Sequence, residues 1–275
     1  MNTMTLRASQ TLISFEDRGT GTVVVLLHAF PFDSSMWRSQ VADLASHHRV
    51  LAPDFPGFGG SAVSAGLTVD SAADIVAELL DHLGVNERVI VAGLSMGGYV
   101  ALAFARLYPQ RLGALILADT KADPDDDAGR AARDKSIQLV TDQGTNALVD
   151  QLLPKLLSPM TAAQKPDVVK AVREIAMRQP VEGIVAALKA LRDRPDATPG
   201  LQHVAVPTLV LVGEQDGITP PDKAKVLADS IPNARLSPIA DAGHLANLEN
   251  DSAFNSALRE FLNSLPANQT PARTV

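Results

Sequence analysis

A serine set among glycines, a histidine beside a glycine near the C-terminal end, and an aspartate closing an apolar run are the residues of this chain best suited to chemistry. Ser95 lies in Ala92-Gly93-Leu94-Ser95-Met96-Gly97-Gly98, a G-x-S-x-G pattern. The run before it, Arg88 to Gly93, is apolar and β-branched, and the run after it reads as a helix closed by Pro109, so Ser95 falls at a strand-to-helix turn. Such a turn lifts a hydroxyl off the end of a sheet, and Gly93 and Gly97 spare it from side-chain clashes. The helix that starts there brings the positive end of a dipole close to developing negative charge. Nucleophilic attack on a carbonyl is the chemistry this arrangement suits.

A serine hydroxyl is a weak nucleophile and needs a base within hydrogen-bond reach, itself oriented by a carboxylate. The chain has six histidines. His47 and His48 fall in a polar turn, His82 ends a helical pattern and His203 lies in a linker, so these read as surface or capping residues. His28 closes an apolar strand, where a structural hydrogen bond and a role in shaping a site are both open. His244 sits in ADAGHLANLEN, after the last strand-like run and before the last helix, with Gly243 leaving the backbone free beside it; it is the candidate base. Asp216 follows the apolar run of PTLVLVGEQD, at the same carboxyl edge of a sheet as Ser95, and is the preferred acid. Asp119, at the end of LGALILAD, is its rival, and Asp241 is too near His244 in sequence to orient it.

These residues need a scaffold, and the chain alternates β-like runs with helical patterns, the signature of a mainly parallel sheet covered on both faces. The β-like runs are TLISFED, TVVVLLH, RVLAPD, RVIVAG, LGALILAD, PTLVLVGEQD and ARLSPIA, with TMTLRAS expected to add an antiparallel edge hairpin. Helical patterns cover Met36 to Ser46, Val69 to Leu83, Met96 to Tyr108, Pro221 to Ser230 and Asp251 to Leu262. From Lys121 to about Gly200 no strand pattern occurs. Amphipathic stretches there, separated by Pro124, Pro154, Pro159, Pro180 and Pro195, predict a helical cap inserted between two strands. The core is therefore expected over residues 1–120 and 201–265, the cap over 121–200 and a disordered tail over 266–275.

At 275 residues and 46% hydrophobic, the chain can bury a substantial core. A net charge of −7 without a basic stripe gives no support to a nucleic-acid surface. There is no cysteine, which removes thiol catalysis and disulfides and fits a reducing compartment. With no signal-peptide pattern and no apolar run of about 20 residues, a cytoplasmic protein acting off the membrane is expected. The histidines lack an H-E-x-x-H pattern and the acidic run Asp123 to Asp127 reads as a solvated helix start, so no metal is expected.

The order nucleophile, acid, histidine resembles that of the α/β-hydrolase superfamily, and the resemblance extends over nearly all of residues 5–263. Its matching stretches are LLHAFPFDSSMW, VLAPDFPGFGGS, GLSMGGYVALAFARLYPQRLGALILADT, PTLVLVGEQDGITP and GHLANLE; the nearest branches are the carboxylesterases, enol-lactonases and cofactor-free perhydrolases. The resemblance implies an α/β fold with a mostly parallel eight-stranded sheet, helices on both faces and an inserted helical cap. It implies Ser95, Asp216 and His244 as a catalytic triad, the backbone amides of Phe30 and Met96 as an oxyanion hole, two-step acyl transfer and no cofactor. The loop from Asp54 to Ser61 matches a family loop in which glycines permit tight turns and Asp54 bonds backbone amides. Because the nucleophile is a serine, alkyl-enzyme chemistry of the dehalogenase type is not expected.

Phe32, Trp37, Leu153 and Leu156 are candidate substrate-binding residues, alongside Phe30, Met96, Leu152 and Met160. An apolar lining suits a small neutral ester or lactone, and hydrolysis of small carboxylic esters is the expected function. A lactone hydrolase or enol-lactonase, a perhydrolase, and a hydrolase-fold ligand receptor are the alternatives. A lactonase acting on a carboxylated ring needs a pocket cation, for which the cap offers Lys135, Lys155, Arg173, Arg178, Lys189, Arg192 and Arg194.

Overall fold

The computed structural model describes residues 1–6, 10–64 and 66–266; of the expected tail only Pro266 falls among them, and the rest lies outside the described residues. Eight strands among these residues form one sheet: β1 (Asn2–Thr5), β2 (Leu12–Arg18), β3 (Val23–Leu27), β4 (Arg49–Pro53), β5 (Val89–Leu94), β6 (Leu112–Ala118), β7 (Thr208–Gly213) and β8 (Ala234–Ile239). Their order is β1-β2-β4-β3-β5-β6-β7-β8. β1 and β2 form the expected edge hairpin, β2 runs antiparallel to β4, and every later pairing is parallel. The continuous apolar runs VVVLL of β3, VIVAGL of β5 and TLVLVG of β7 are buried throughout, as strands covered on both faces must be.

α1 (Arg38–Leu44), α2 (Val69–His82) and α3 (Met96–Leu107) follow β3, β4 and β5. After β6 come four helices without an intervening strand: α4 (Asp127–Leu156), α5 (Pro159–Gln164), α6 (Pro166–Met177) and α7 (Val181–Arg192), then a 3-10 turn over Thr198–His203. α8 (Pro221–Ser230) links β7 to β8, and α9 (Ala246–Glu249) and α10 (Asp251–Ser264) close the described chain. Apolar faces of α2, α3 and α8 share one buried cluster with the sheet, while those of α1 and α10 share the cluster on its other side.

Two local expectations are corrected. The stretch from Met36 to Ser46 begins as a 3-10 turn, Ser34–Trp37, capped by the Asp33 side chain, before α1 starts at Arg38. Pro154 does not separate two helices: it lies in the last turn of α4, and the backbone break falls at Gly144, with φ of 80°. Pro159 opens α5 and Pro166 opens α6, where a missing N–H leaves no helical bond unmade, and Pro180 is the N-cap of α7.

The helical insertion is fastened to the loop after β3 by one buried carboxylate. Asp33 accepts Nε and Nη2 of Arg178 at 2.8 Å each and Nε2 of Gln179 at 2.7 Å, besides the amide and hydroxyl of Ser35. Gln179 in turn accepts the amide of Gly59 at 2.9 Å. Burial alone would raise the Asp33 carboxyl, but the Arg178, Ser35 and Gln179 bonds outweigh it and hold its pKa at about 2. A carboxylate depressed in this way stabilises the fold fully above its unfolded pKa of about 3.9 and loses that contribution as pH falls through the folded value. Asp33→Asn is expected to cost about 1–2 kcal/mol at neutral pH, a figure reduced for the solvent around the half-exposed Arg178. Urea denaturation should show that difference from wild type constant down to about pH 5 and shrinking toward about pH 2.

Candidate active site

Ser95 sits between β5 and α3 with φ of 54° and ψ of −111°, the left-handed region that a serine occupies only when its surroundings enforce it. Its amide donates to Ala118 of β6, and its carbonyl accepts the amides of Gly98 and Tyr99 and the hydroxyl of Thr120. The glycines are required by close approach. A Cβ on Gly93 would lie 2.1 Å from the carbonyl oxygen of Gly97, and one on Gly97 would lie 2.1 Å from that of Leu27. β5, the start of α3 and the end of β3 therefore touch backbone to backbone, and this contact sets the Ser95 hydroxyl at the carboxyl edge of the sheet.

His244 reaches the same edge from the loop between β8 and α9. Its Nε2 lies 2.9 Å from Ser95 Oγ, and its Nδ1 lies 2.8 Å from Asp216 Oδ2. Asp216 follows β7, is 3% exposed, and accepts the amides of Ile218 and Thr219 and the hydroxyl of Thr219. Burial would raise its carboxyl, but His244 and the Thr219 donors outweigh that and hold it below the ordinary carboxylate range. An ionised Asp216 is an acceptor, so the proton of a neutral His244 resides on Nδ1 and Nε2 faces the serine as an acceptor.

Asp119, at the end of β6, is placed otherwise. It is fully buried and accepts the Gly213 amide through Oδ1, while Oδ2 has no partner among the described residues. Burial pushes its carboxyl well up, the nearby Asp216 charge adds to this, and the amides of Gly213 and Ala246 only partly oppose it. No hydrogen bond joins Asp119 to His244 among the described residues. Asp241 is exposed, and no hydrogen bond joins its side chain to His244 among the described residues.

The loop after β3 carries Phe30. His28 Nδ1 donates to the Ala29 carbonyl at 2.9 Å, and His28 Nε2 accepts the Phe55 amide at 2.9 Å. Both bonds require a neutral ring, and burial is the main cause that lowers its pKa. The amide of Phe30 has no acceptor among the described residues, and Met96, as the first residue of α3, has an amide with no partner inside its helix. Asp54 bonds the amides of Ser34 and Gly60, as expected for its loop.

A family model described as alpha/beta hydrolase fold matches residues 22–251. The chain belongs to the alpha/beta hydrolase fold family. Among solved structures it is similar to a thermophilic esterase from Thermogutta terrifontis, with a TM-score of 0.93, 38% identity, and 97% of this chain and 99% of that one covered. Among curated proteins it is 29% identical to 3-oxoadipate enol-lactonase 2 of Acinetobacter baylyi, over 83% of this chain and 84% of that protein. It is 31% identical to a 2-hydroxy-6-oxononadienedioate/2-hydroxy-6-oxononatrienedioate hydrolase of Burkholderia vietnamiensis, over 91% of this chain and 90% of that one. The protein is thus a hydrolase of a family acting on small molecules. No helix among the described residues is long and apolar enough to cross a membrane.

The hydrolase fold also corrects the expected pocket wall. Phe32 and Trp37 are 0% and 1% exposed and pack into the cluster shared with α1 and α10, where the Trp37 ring lies against Phe254. They present no surface to a ligand, because the loop after β3 folds these side chains under itself. Leu156 is buried in the same cluster, and Leu153 is half-buried against it. Two surface recesses, of about 870 and 670 Å³, are lined by neither Ser95 nor His244. Sequence reasoning missed Thr120 and Thr219, which hold Ser95 and Asp216; both lie one to three residues past a strand-end aspartate, the only signal that marked them.

Gly97→Ala tests the backbone contact that raises Ser95. A methyl group 2.1 Å from the Leu27 carbonyl must displace α3 or β3, so a loss of about 3 kcal/mol in urea denaturation is expected, against near-neutral behaviour for Gly200→Ala, where space is open.

Proposed function

We propose that this hydrolase cleaves small, neutral carboxylic esters through an acyl-enzyme on Ser95. The observation that carries the reading is the hydrogen-bonded series Ser95–His244–Asp216, at 2.9 and 2.8 Å, on a serine held in the left-handed region. In this reading His244 Nε2 takes the hydroxyl proton as Ser95 Oγ attacks the ester carbonyl, and Asp216 stabilises the imidazolium that forms. The amides of Phe30 and Met96 receive the oxyanion. His244 then returns the proton to the departing alcohol, and a water deprotonated by the same nitrogen hydrolyses the acyl-enzyme. Residues 121–200 act as the cap over this site, and 1–120 with 201–265 as the hydrolase core.

The charges of the insertion favour a neutral substrate. Arg173, Arg178, Arg192 and Arg194 are each engaged by carboxylates, namely Asp150, Asp33, Asp134 with Asp193, and Asp125. Lys135, Lys155 and Lys189 are exposed. None of the seven is a buried, unpaired cation to receive a substrate carboxylate. A lactone is an internal ester open to the same attack, and the similarity to an enol-lactonase makes lactones the second substrate class.

Ser95→Ala and His244→Ala are expected to abolish hydrolysis of p-nitrophenyl acetate and butyrate with circular dichroism unchanged; an active Ser95→Ala protein refutes the mechanism. Asp216→Asn should lower kcat by about 10⁴-fold, since the imidazole loses its working tautomer. Asp119→Asn should stay within about tenfold of wild type, because Asp119 makes no hydrogen bond to His244 among the described residues and its Oδ1 remains an acceptor for the Gly213 amide. Turnover should fall in acid, where a protonated His244 has no lone pair for the serine proton, and a pH-independent rate speaks against a histidine base.

A further inference from the structure

The backbone on either side of His244 is held by one side chain. Glu249, the last residue of α9, is 2% exposed. Its Oε1 accepts the amide of Gly243 at 2.9 Å and that of Leu245 at 3.2 Å, the two residues flanking His244. Its Oε2 accepts the amide of Ser158 at 2.7 Å, and Ser158 is the N-cap of α5 in the helical insertion. The amide of His244 itself donates to the carbonyl of Leu156, at the end of α4, at 3.1 Å. The two segments touch without spare room: a Cβ on Gly243 would lie 2.6 Å from the Ser158 nitrogen and 3.0 Å from Glu249 Oε1.

We propose that Glu249 is a positioning residue that makes the placement of His244 depend on the docking of the helical insertion, an inference that rests on the reading of His244 as the base. Three amides satisfy the buried carboxylate, two from the histidine loop and one from the insertion. Lifting residues 156–158 away removes the Ser158 donor and the Leu156 acceptor together. Glu249 is then short of a partner and the His244 amide is unpaired, so the loop relaxes toward whatever restores both. Ser95 has no such dependence, since its turn is bonded to Ala118, Gly98, Tyr99 and Thr120 of the core. The insertion therefore acts on the base and leaves the nucleophile in place. An acid–base group displaced by about 1 Å loses about 100-fold in rate, so undocking is read in kcat ahead of KM.

The experiment compares kcat, KM and the pH profile of kcat on p-nitrophenyl butyrate for wild type, Ser95→Ala, Glu249→Ala, Glu249→Gln, Ser158→Ala and Ser158→Pro, each checked for folding by thermal denaturation. Glu249→Ala is expected to lower kcat by about 100-fold with KM within about threefold and the acid limb of the profile displaced. Glu249→Gln keeps Oε1 as an acceptor and should recover part of the loss. The Ser158 pair isolates the insertion's amide, because both variants lose the hydroxyl that caps Thr161 and only proline loses the N–H. Ser158 has φ of −63° and ψ of 151°, which proline's backbone adopts, and the proline Cδ replaces the N–H that faces Glu249 Oε2. Ser158→Pro should therefore fall about tenfold further in kcat than Ser158→Ala. Wild-type kcat and pH profile in folded Glu249→Ala, or equal kcat in the two Ser158 variants, overturns the proposal while Ser95-dependent turnover still stands. If Glu249→Ala fails to fold, the Ser158 pair decides. Wild type without Ser95-dependent turnover overturns the hydrolytic reading and this inference with it.

Discussion

Backbone contact between β5, the first turn of α3 and the end of β3 is the constraint from which the site follows. Gly93 and Gly97 allow the three segments to approach more closely than any Cβ permits, and the price is a serine held at positive φ. A non-glycine residue in that region costs on the order of 1–3 kcal/mol, which persists only where the surroundings over-determine it. Here they do. The Ser95 carbonyl has three donors, its amide is tied into the β5–β6 ladder, and α3 is buried along most of its length. The hydroxyl's position is thus set by main chain and packing, without a bond from its own side chain to the helix it caps.

Around that fixed serine, burial alone does not decide how acids behave. Asp119 and Asp216 close neighbouring strands and are both buried, yet their carboxyls shift in opposite directions. Asp216 has two amides, a hydroxyl and the imidazole as donors, so its charge is compensated; Asp119 has an unpartnered oxygen and a negative neighbour, so burial prevails. Environments that push paired titratable groups apart divide their roles. The Asp216 carboxyl, held down, is the one that meets His244, and the Asp119 carboxyl, pushed up, has no hydrogen bond to that ring among the described residues. His28 follows the same logic, because a ring that donates through Nδ1 and accepts through Nε2 must be uncharged.

The strand ends were legible in the sequence because apolar, β-branched runs terminate abruptly at polar residues, and that is why Ser95, Asp216 and His244 could be picked out together. The edge hairpin was legible for a similar reason, since its polar alternation fits a strand open on one side. What could not be read was the direction of side chains on irregular segments. Phe32 and Trp37 lie in a loop and a 3-10 turn, where no period links spacing to a face, so pocket and core look alike in one dimension. Pro154 misled for a related reason: a proline in the last turn forfeits one bond in a helix that other contacts hold. Thr219 and Glu249 escaped notice because their value lies in which distant amides they meet.

Chain topology explains why the insertion can influence chemistry without supplying a reacting group. It leaves the sheet after β6, beyond the serine, and returns at β7, before both Asp216 and His244. Folding back, it makes polar anchorages to two loops of the core: Arg178 and Gln179 hold Asp33, three residues past Phe30, and Ser158 holds Glu249 beside His244. Those loops carry the proposed oxyanion amide and the proposed base, while the elbow of the nucleophile is bonded within the core. On the proposed mechanism, a substitution inside the insertion that alters its seating is transmitted first to proton transfer and oxyanion binding. Substrate shape and catalytic alignment are in consequence not independent variables in this fold, since the helices that would enclose the one also hold the loops that set the other.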